Sequence, residues 1–324
     1  MSNVSLPEGS SLRKWRDDAD WAHIATLTNR GMLAQGLTLL VTADEVAGWL
    51  ANADDLDVLS DIVFVMDEHD SPAAYAITSS WVEHSGRRIY RHNCKVDPQR
   101  CGKGVGSALL EWAITRHQGR DLGAGHLQTE VDNDDPVLTG LLESRGYTPV
   151  QHHAELVRPH LDDIPDAKLP VGLESRPVSE SQLRTIFDAD GEAFRDHWGE
   201  RPNSEGDYQA FLDFAHRDET MWKVAWDGVE VAGQVRGYIN QEENDEFDRK
   251  RGWCEFISTA RQWRGRGVAS ALICATLREF ARRGLSESAL GVHVDNPTGA
   301  FALYSKLGFE VVSTAATFEK AVGW

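Results

Sequence analysis

Residues 259–269 are TARQWRGRGVA. Within it, Arg264-Gly265-Arg266-Gly267-Val268-Ala269 fits the pattern R/Q-x-x-G-x-G/A. The residues before it, 253–259 (WCEFIST), read as a buried strand. After Gly267, Val268, Leu272 and Ala275 share a face with Ala269, Ile273, Leu277 and Phe280, the spacing of an amphipathic helix. Strand, glycine turn and helix together form a phosphate-binding arrangement. Glycines let the backbone approach an anion, and the free N–H groups of the first helical turn point at it.

Two common phosphate motifs do not fit. A P-loop needs Lys-Ser or Lys-Thr after its glycines, and neither is present. A dinucleotide turn needs a third glycine, where this chain has Ser270. The downstream sequence is more informative. Residues 289–295 (ALGVHVD) alternate like a strand, with Leu290, Val292 and Val294 on one face. Asn296 then caps an expected helix with Pro297 at its first position, and Leu307-Gly308-Phe309 ends it before a last strand.

R-G-x-G-x-A with a long helix, followed by V-D-N-P-x-x-A-x-x-L-Y-x-x-L-G-F, resembles the GNAT N-acetyltransferase superfamily. The resemblance implies an acetyl-coenzyme A site. The diphosphate would lie on the backbone of Arg264, Gly265, Arg266, Gly267, Val268, Ala269 and Ser270. The pantetheine arm would pair with Ile257, Ser258 and Thr259. Asn296 would be a helix cap, a coenzyme A contact, or both.

The composition narrows the function further. A chain of 324 residues is long enough for about two domains. Its 41% hydrophobic and 26% charged residues suit ordinary buried cores. A formal charge of −18 argues against a nucleic-acid partner and is compatible with a cationic amine substrate or with simple solubility. Cys94, Cys101, Cys254 and Cys274 form no C-x-x-C pair and no metal spacing, so no metal is expected. The N-terminal residues lack a signal-peptide core, and no apolar run approaches the ~20 residues of a membrane span. A cytoplasmic protein without a membrane partner is expected, as a monomer or homodimer.

The organising element occurs twice. Residues 90–96 read as a strand before Arg100-Cys101-Gly102-Lys103-Gly104-Val105-Gly106, and Val105, Leu109, Trp112 and Ala113 follow at helical spacing. Gly267 lies 163 residues after Gly104, and Gly308 lies 162 after Gly146. The period is a whole domain, so the chain is a tandem duplication. Residues 158–172, with three prolines and no periodicity, read as the linker. The expected fold is α/β (α+β): two GNAT-like domains, each a mixed, mainly antiparallel sheet flanked by helices. They span 1–157, non-catalytic, and 173–324, catalytic. In the second, a strand over 173–177, helices over 179–194 and 208–215 and a hairpin over 222–240 are expected. Residues 241–251 (QEENDEFDRKR) read as a charged loop, either solvated or rimming a substrate.

Amine acetylation needs a neutral amine, an activated carbonyl and a proton for the leaving thiolate. By the resemblance, Tyr304 supplies that proton; packing at helix spacing is the alternative. Glu255 is the favoured base, with pairing to an arginine across the sheet as the alternative. His197 is the second candidate base and, with Trp198, lines the substrate. The first copy has Leu142 or Glu143 in place of Tyr304, and Cys101 in place of the turn's usual Arg or Gln. Val96, Gly102, Lys103, Gly104 and Gly106 still form a second candidate cradle. The expected activity is direct acetyl transfer to a primary amine of a small molecule. The alternatives are a non-catalytic acyl-coenzyme A sensor or a protein N-acetyltransferase.

Overall fold

The computed structural model describes residues 4–51, 53–133, 135–295 and 299–324. Contacts divide the chain into two units: 1–152 with 315–324, and 153–314.

Unit 1 opens with β1 (Ser11–Lys14), α1 (Ala19–Ala34), α2 (Ala43–Leu50) and α3 (Val58–Asp61). The antiparallel run β2 (Ile62–Met66), β3 (Pro72–Val82) and β4 (Arg88–Val96) follows. Then come α4 (Val105–Gln118), β5 (Gly125–Asp132), α5 (Pro136–Ser144) and β6 (Thr148–Arg158). Unit 2 adds β7 (Glu174–Ser175), α6 (Leu183–Phe194), α7 (Glu205–Leu212), β8 (Lys223–Asp227) and β9 (Glu230–Tyr238). It continues with α8 (Gln241–Glu246), β10 (Arg251–Thr259), α9 (Val268–Arg282), β11 (Glu287–His293), α10 (Ala300–Lys306) and β12 (Glu310–Val322).

The strand order is β1-β2-β3-β4-β5-β12 in unit 1 and β6-β11-β10-β9-β8-β7 in unit 2. In each, one strand pair is parallel, β4 with β5 and β10 with β11, and the neighbouring pairs β1–β2, β2–β3, β3–β4, β5–β12, β6–β11, β9–β10, β8–β9 and β7–β8 are antiparallel. The last strand of each sheet is exchanged. Ala315–Val322 pair with Gly125–Asp132 in unit 1, while His153–Arg158 pair with Ser288–His293 in unit 2. The units therefore differ from a 1–157 and 173–324 division, because each sheet takes its terminal strand from the other copy's sequence.

Helices cover both faces of each sheet. In unit 1, α1 and α2 bury Trp21, Ile24, Leu27 and Val46 against Phe64 and Tyr75, and α4 packs Leu109, Trp112 and Ala113 on Val63, Val65 and Ala74. In unit 2, α9 places Leu272, Ile273, Leu277 and Phe280 on Val235, Cys254 and Leu290. On the other side, α6 and α7 bury Leu183, Ile186, Phe187 and Phe211 with Trp226. The α9 contact needs bare backbone: a Cβ at Gly252 would come within 2.7 Å of the Phe280 ring. The segment between the copies is also part of this core, since Leu161, Ile164, Ala167 and Leu169 pack against it.

Two sequence expectations change. The strand over 173–177 shrinks to two residues, Glu174 and Ser175. Residues 241–251 are no solvated loop. Asn240 caps α8 through Glu243 N–H, and Glu243, Asn244 and Arg251 are buried. Glu243 accepts from Trp253 Nε1 (3.0 Å) and binds Arg249 (2.5 Å), while Arg251 bridges Glu155 (3.0 Å) and Glu287 (2.6 Å). Charged side chains are buried here because each has a charged or hydrogen-bonding partner. Among the described residues, no helix is long and apolar enough to cross a membrane, and no His/Cys/Asp/Glu group could hold a metal.

Candidate active site

The glycine turn sits where the sequence places it. Gly265 and Gly267 have φ of +70° and +88°, and a Cβ at either would meet open space. Gly267 is the N-cap of α9 and offers no side chain to the helix, so no side-chain cap occupies the first-turn N–H groups of Val268, Ala269 and Ser270. A 15-residue helix with a bare N-terminus and open approach suits a diphosphate. The Arg264 side chain is used within the protein: it donates to Thr259 O (3.2 Å) and Ala193 O (2.6 Å), tying the turn to the end of α6. Arg266 lies over the Trp263 ring at 5.0 Å.

The strand leading to the turn is broken in register. β10 pairs Glu255 with Arg236 and Ser258 with Gln234, so Phe256 and Ile257 together oppose Val235. This is a one-residue bulge. Phe256 has φ +51°; among the described residues, the other non-glycines with positive φ are Asp or Asn. On its other edge, β10 pairs with β11 only from Arg251 to Trp253. Beyond that the strands part. Glu255 reaches across the parting and accepts from Gly291 N–H at 2.6 Å. Ile257 belongs to the bulge, and Ser258 and Thr259 lead from it to the turn, so the expected pantetheine segment and the cradle are continuous.

Burial pushes the Glu255 carboxyl up to about 7, and the Glu155 carboxylate adds to the rise. Arg236 lies opposite Glu255 in register, but its guanidinium binds Asp190 (2.7 Å), so the arginine-pairing alternative does not hold for Glu255. Tyr304 is buried on α10. Burial, with the Cys254 and Glu255 side chains nearby, raises its phenol well above the ordinary range. It remains a proton donor at neutral pH. His197 follows α6 and packs edge-on to Phe194 (4.6 Å). Burial, Arg264 and His293 lower its pKa, against a smaller opposing pull from Asp196. Trp198 stands edge-on to His293 at 6.4 Å. Asn296 lies outside the described residues, and Gly299 is the N-cap of α10.

Three further groups belong to this neighbourhood. Burial and nearby Asp190 push Glu200 up to about 7. Asp190 and Arg236 form a buried ion pair on the α6 side of β10. Glu155 reaches unit 2 on the exchanged strand β6, opposite Gly291. No local motif marks them; strand alternation alone could have placed Arg236 on the face of Glu255.

Unit 1 repeats the frame with other side chains at these positions. Gly102 and Gly104 have φ of +73° and +88°, and Gly104 caps a 14-residue α4 without a side-chain cap. Lys103 Nζ turns back to Gln99 O, Gly106 sits 3.8 Å (as a Cβ) from Val96, and burial with Asp135 and Asp97 raises the Cys101 thiol. Here β3 and β4 pair in unbroken register from Ala74↔Val96 to Val82↔Arg88. The first parallel-paired residues, Ile89 and Arg251, are 162 apart, whereas Val96 and Thr259, whose partners are Ala74 and Gly233, are 163 apart. Unit 2 thus carries one extra residue, within the bulge. By this register Asn93 corresponds to Glu255 and Ile77 to Arg236. Arg91–Glu130 (2.5 Å) and Lys95–Asp132 (2.7 Å) link β4 to β5. Leu142, buried, stands at the Tyr304 position counted back from Gly146.

The sequence matches the model of the "Acetyltransferase (GNAT) family" over residues 36–147 and 183–309. It is 28% identical over 246 residues to a mycothiol acetyltransferase of Salinispora arenicola, covering 72% of this chain and 77% of that protein. Among solved structures, a GCN5-related N-acetyltransferase from Sphaerobacter thermophilus superposes with a TM-score of 0.72 at 25% identity, covering 99% of this chain and 98% of the other. A tandem GNAT protein from the clavulanic acid biosynthesis pathway gives 0.69 at 15% identity over 97% and 99% of the two chains, a likeness of fold.

Proposed function

The chain belongs to the acetyltransferase (GNAT) family and is an acetyltransferase, and from that premise we propose that unit 2 transfers acetyl from acetyl-coenzyme A to a primary amine of a small molecule. The observation that carries this reading is the bulged β10, which puts Glu255 at the parting from β11 with the buried Tyr304 phenol nearby. Acetyl-coenzyme A supplies a thioester carbonyl as the electrophile. The α9 N-terminus and the backbone of residues 264–270 hold its diphosphate, and residues 257–259 hold its pantetheine arm.

Glu255 acts as the base. An alkyl ammonium near ~10.4 must lose a proton before it attacks, and a carboxylate near 7 accepts protons better than an ordinary one. Tyr304 holds its proton for the departing thiolate. The mycothiol acetyltransferase relative supports a small-molecule amine acceptor. In unit 1, Asn93 and Leu142 stand where base and acid would be needed, which supports a non-catalytic role for that unit.

The test is steady-state acetylation of an amine panel by wild type, Tyr304→Phe and Glu255→Gln. Tyr304→Phe is expected to lower kcat about 100-fold with KM for the amine little changed. Glu255→Gln is expected to remove a rise in kcat/KM through about pH 7. Full turnover in both variants would refute the assignment.

A further inference from the structure

The bulge in β10 is costly where it stands. Phe256 is a bulky residue at φ +51°, a strained conformation for a side chain with a Cβ. Its ring is exposed. The corresponding strand of unit 1 has no bulge, so the sheet itself does not require one. Something in unit 2 must hold it.

We infer that the buried Asp190–Arg236 pair is a positioning device that locks the bulge and thereby sets Glu255 and the cofactor-facing edge of β10. This inference rests on the acetyl-transfer reading above. Arg236 Nη2 binds Asp190 Oδ2 at 2.7 Å, and its guanidinium carbon lies 4.0 Å from the centre of the Phe256 ring. Phe211 and Trp222 flank the same guanidinium at 5.0 and 5.9 Å. The planar cation is therefore fixed by its carboxylate partner and packs on the strained residue. The Ser258 hydroxyl, on the first residue back in register after the bulge, lies near the Asp190 carboxylate. The pair thus meets the bulge through the Phe256 ring, with Asp190 beside the residue at which the register resumes.

The comparison within the chain supports this assignment. Where the register is unbroken, the Arg236 position is Ile77 and the Ser258 position is Lys95. The guanidinium that packs on the bulge is missing together with the bulge. A buried ion pair is a weak source of stability, since well-packed apolar residues often replace one without loss. Its presence against the bulge is better explained by geometry than by stability.

The experiment compares wild type with the double variant Asp190→Leu/Arg236→Met by coenzyme A calorimetry, acetylation kinetics and melting. The double variant is expected to melt within a few degrees of wild type. It should bind coenzyme A about tenfold more weakly and lose about 100-fold in kcat, as a displaced base would. Adding Phe256→Gly, which adopts positive φ without strain, should recover much of both losses. Binding and kcat within twofold of wild type would overturn the proposal, as would a loss that Phe256→Gly leaves untouched. If the double variant does not fold, Asp190→Asn decides by the same readouts: weakening of both supports the lock, and no change overturns it. Failure of wild type itself to bind coenzyme A or turn over would strike the acetyl-transfer reading instead, before any variant is compared.

Discussion

Glu255 carries opposing demands on one carboxyl. Its folded-state pKa, about 7, is raised above the ordinary 4.5. Between those values the folded chain binds more protons here than the unfolded chain, so this group's contribution to stability falls as pH rises through the window. A glutamine keeps an acceptor for Gly291 N–H without the buried charge. Glu255→Gln is therefore expected to melt like wild type at pH 4 and about 3 °C higher at pH 8, by calorimetric scans at both. Equal melting at both pH values would contradict the raised pKa. The residue itself was legible only through the family motif; nothing in WCEFIST singles out a base. Asp190 and Arg236 were not legible, because 46 residues separate them and only the fold brings α6 onto β9. Glu200 was hidden likewise, since its shift comes from burial and from Asp190.

Elements were read well where period and punctuation agree. β10, the glycine turn and α9 lie where alternation, positive-φ glycines and helical spacing put them. Residues 241–251 failed because charge content was read as exposure, and composition does not reveal partners such as Trp253 and Arg249. The bulge was invisible in each strand alone and appears as a one-residue slip between the copies. Deleting Phe256 is expected to restore the unbroken ladder that β3 and β4 form. The product should stay folded by circular dichroism while losing acetylation about 100-fold or more. Activity comparable to wild type would show that the extra residue is dispensable.

At the scale of the whole molecule, the duplication was legible from the spacing of the glycines, but the exchanged strands were not. A linker with three prolines looks like a boundary, yet its apolar side chains belong to the unit 2 core. Residues 1–157 expressed alone lack the strand Ala315–Val322, whose Ala316 and Phe318 pack with Tyr90, Leu110 and Tyr147. That fragment is expected to aggregate or to melt broadly, and fusing residues 315–324 to it should restore a cooperative transition; a stable, cooperative 1–157 would contradict the exchange. The same crossing sets an order of completion during synthesis. Unit 2 has its borrowed strand, β6, long before its own helices emerge, and can close once residue 314 is free. Unit 1, although made first, keeps the β5 edge unpaired until residues 315–322 arrive. Some 180 residues of translation, at about 5–20 residues per second, separate its fifth strand from the partner that covers it. The half of the protein made first is the last to be finished, and for about ten seconds or more its β5 edge stays open to a wrong partner.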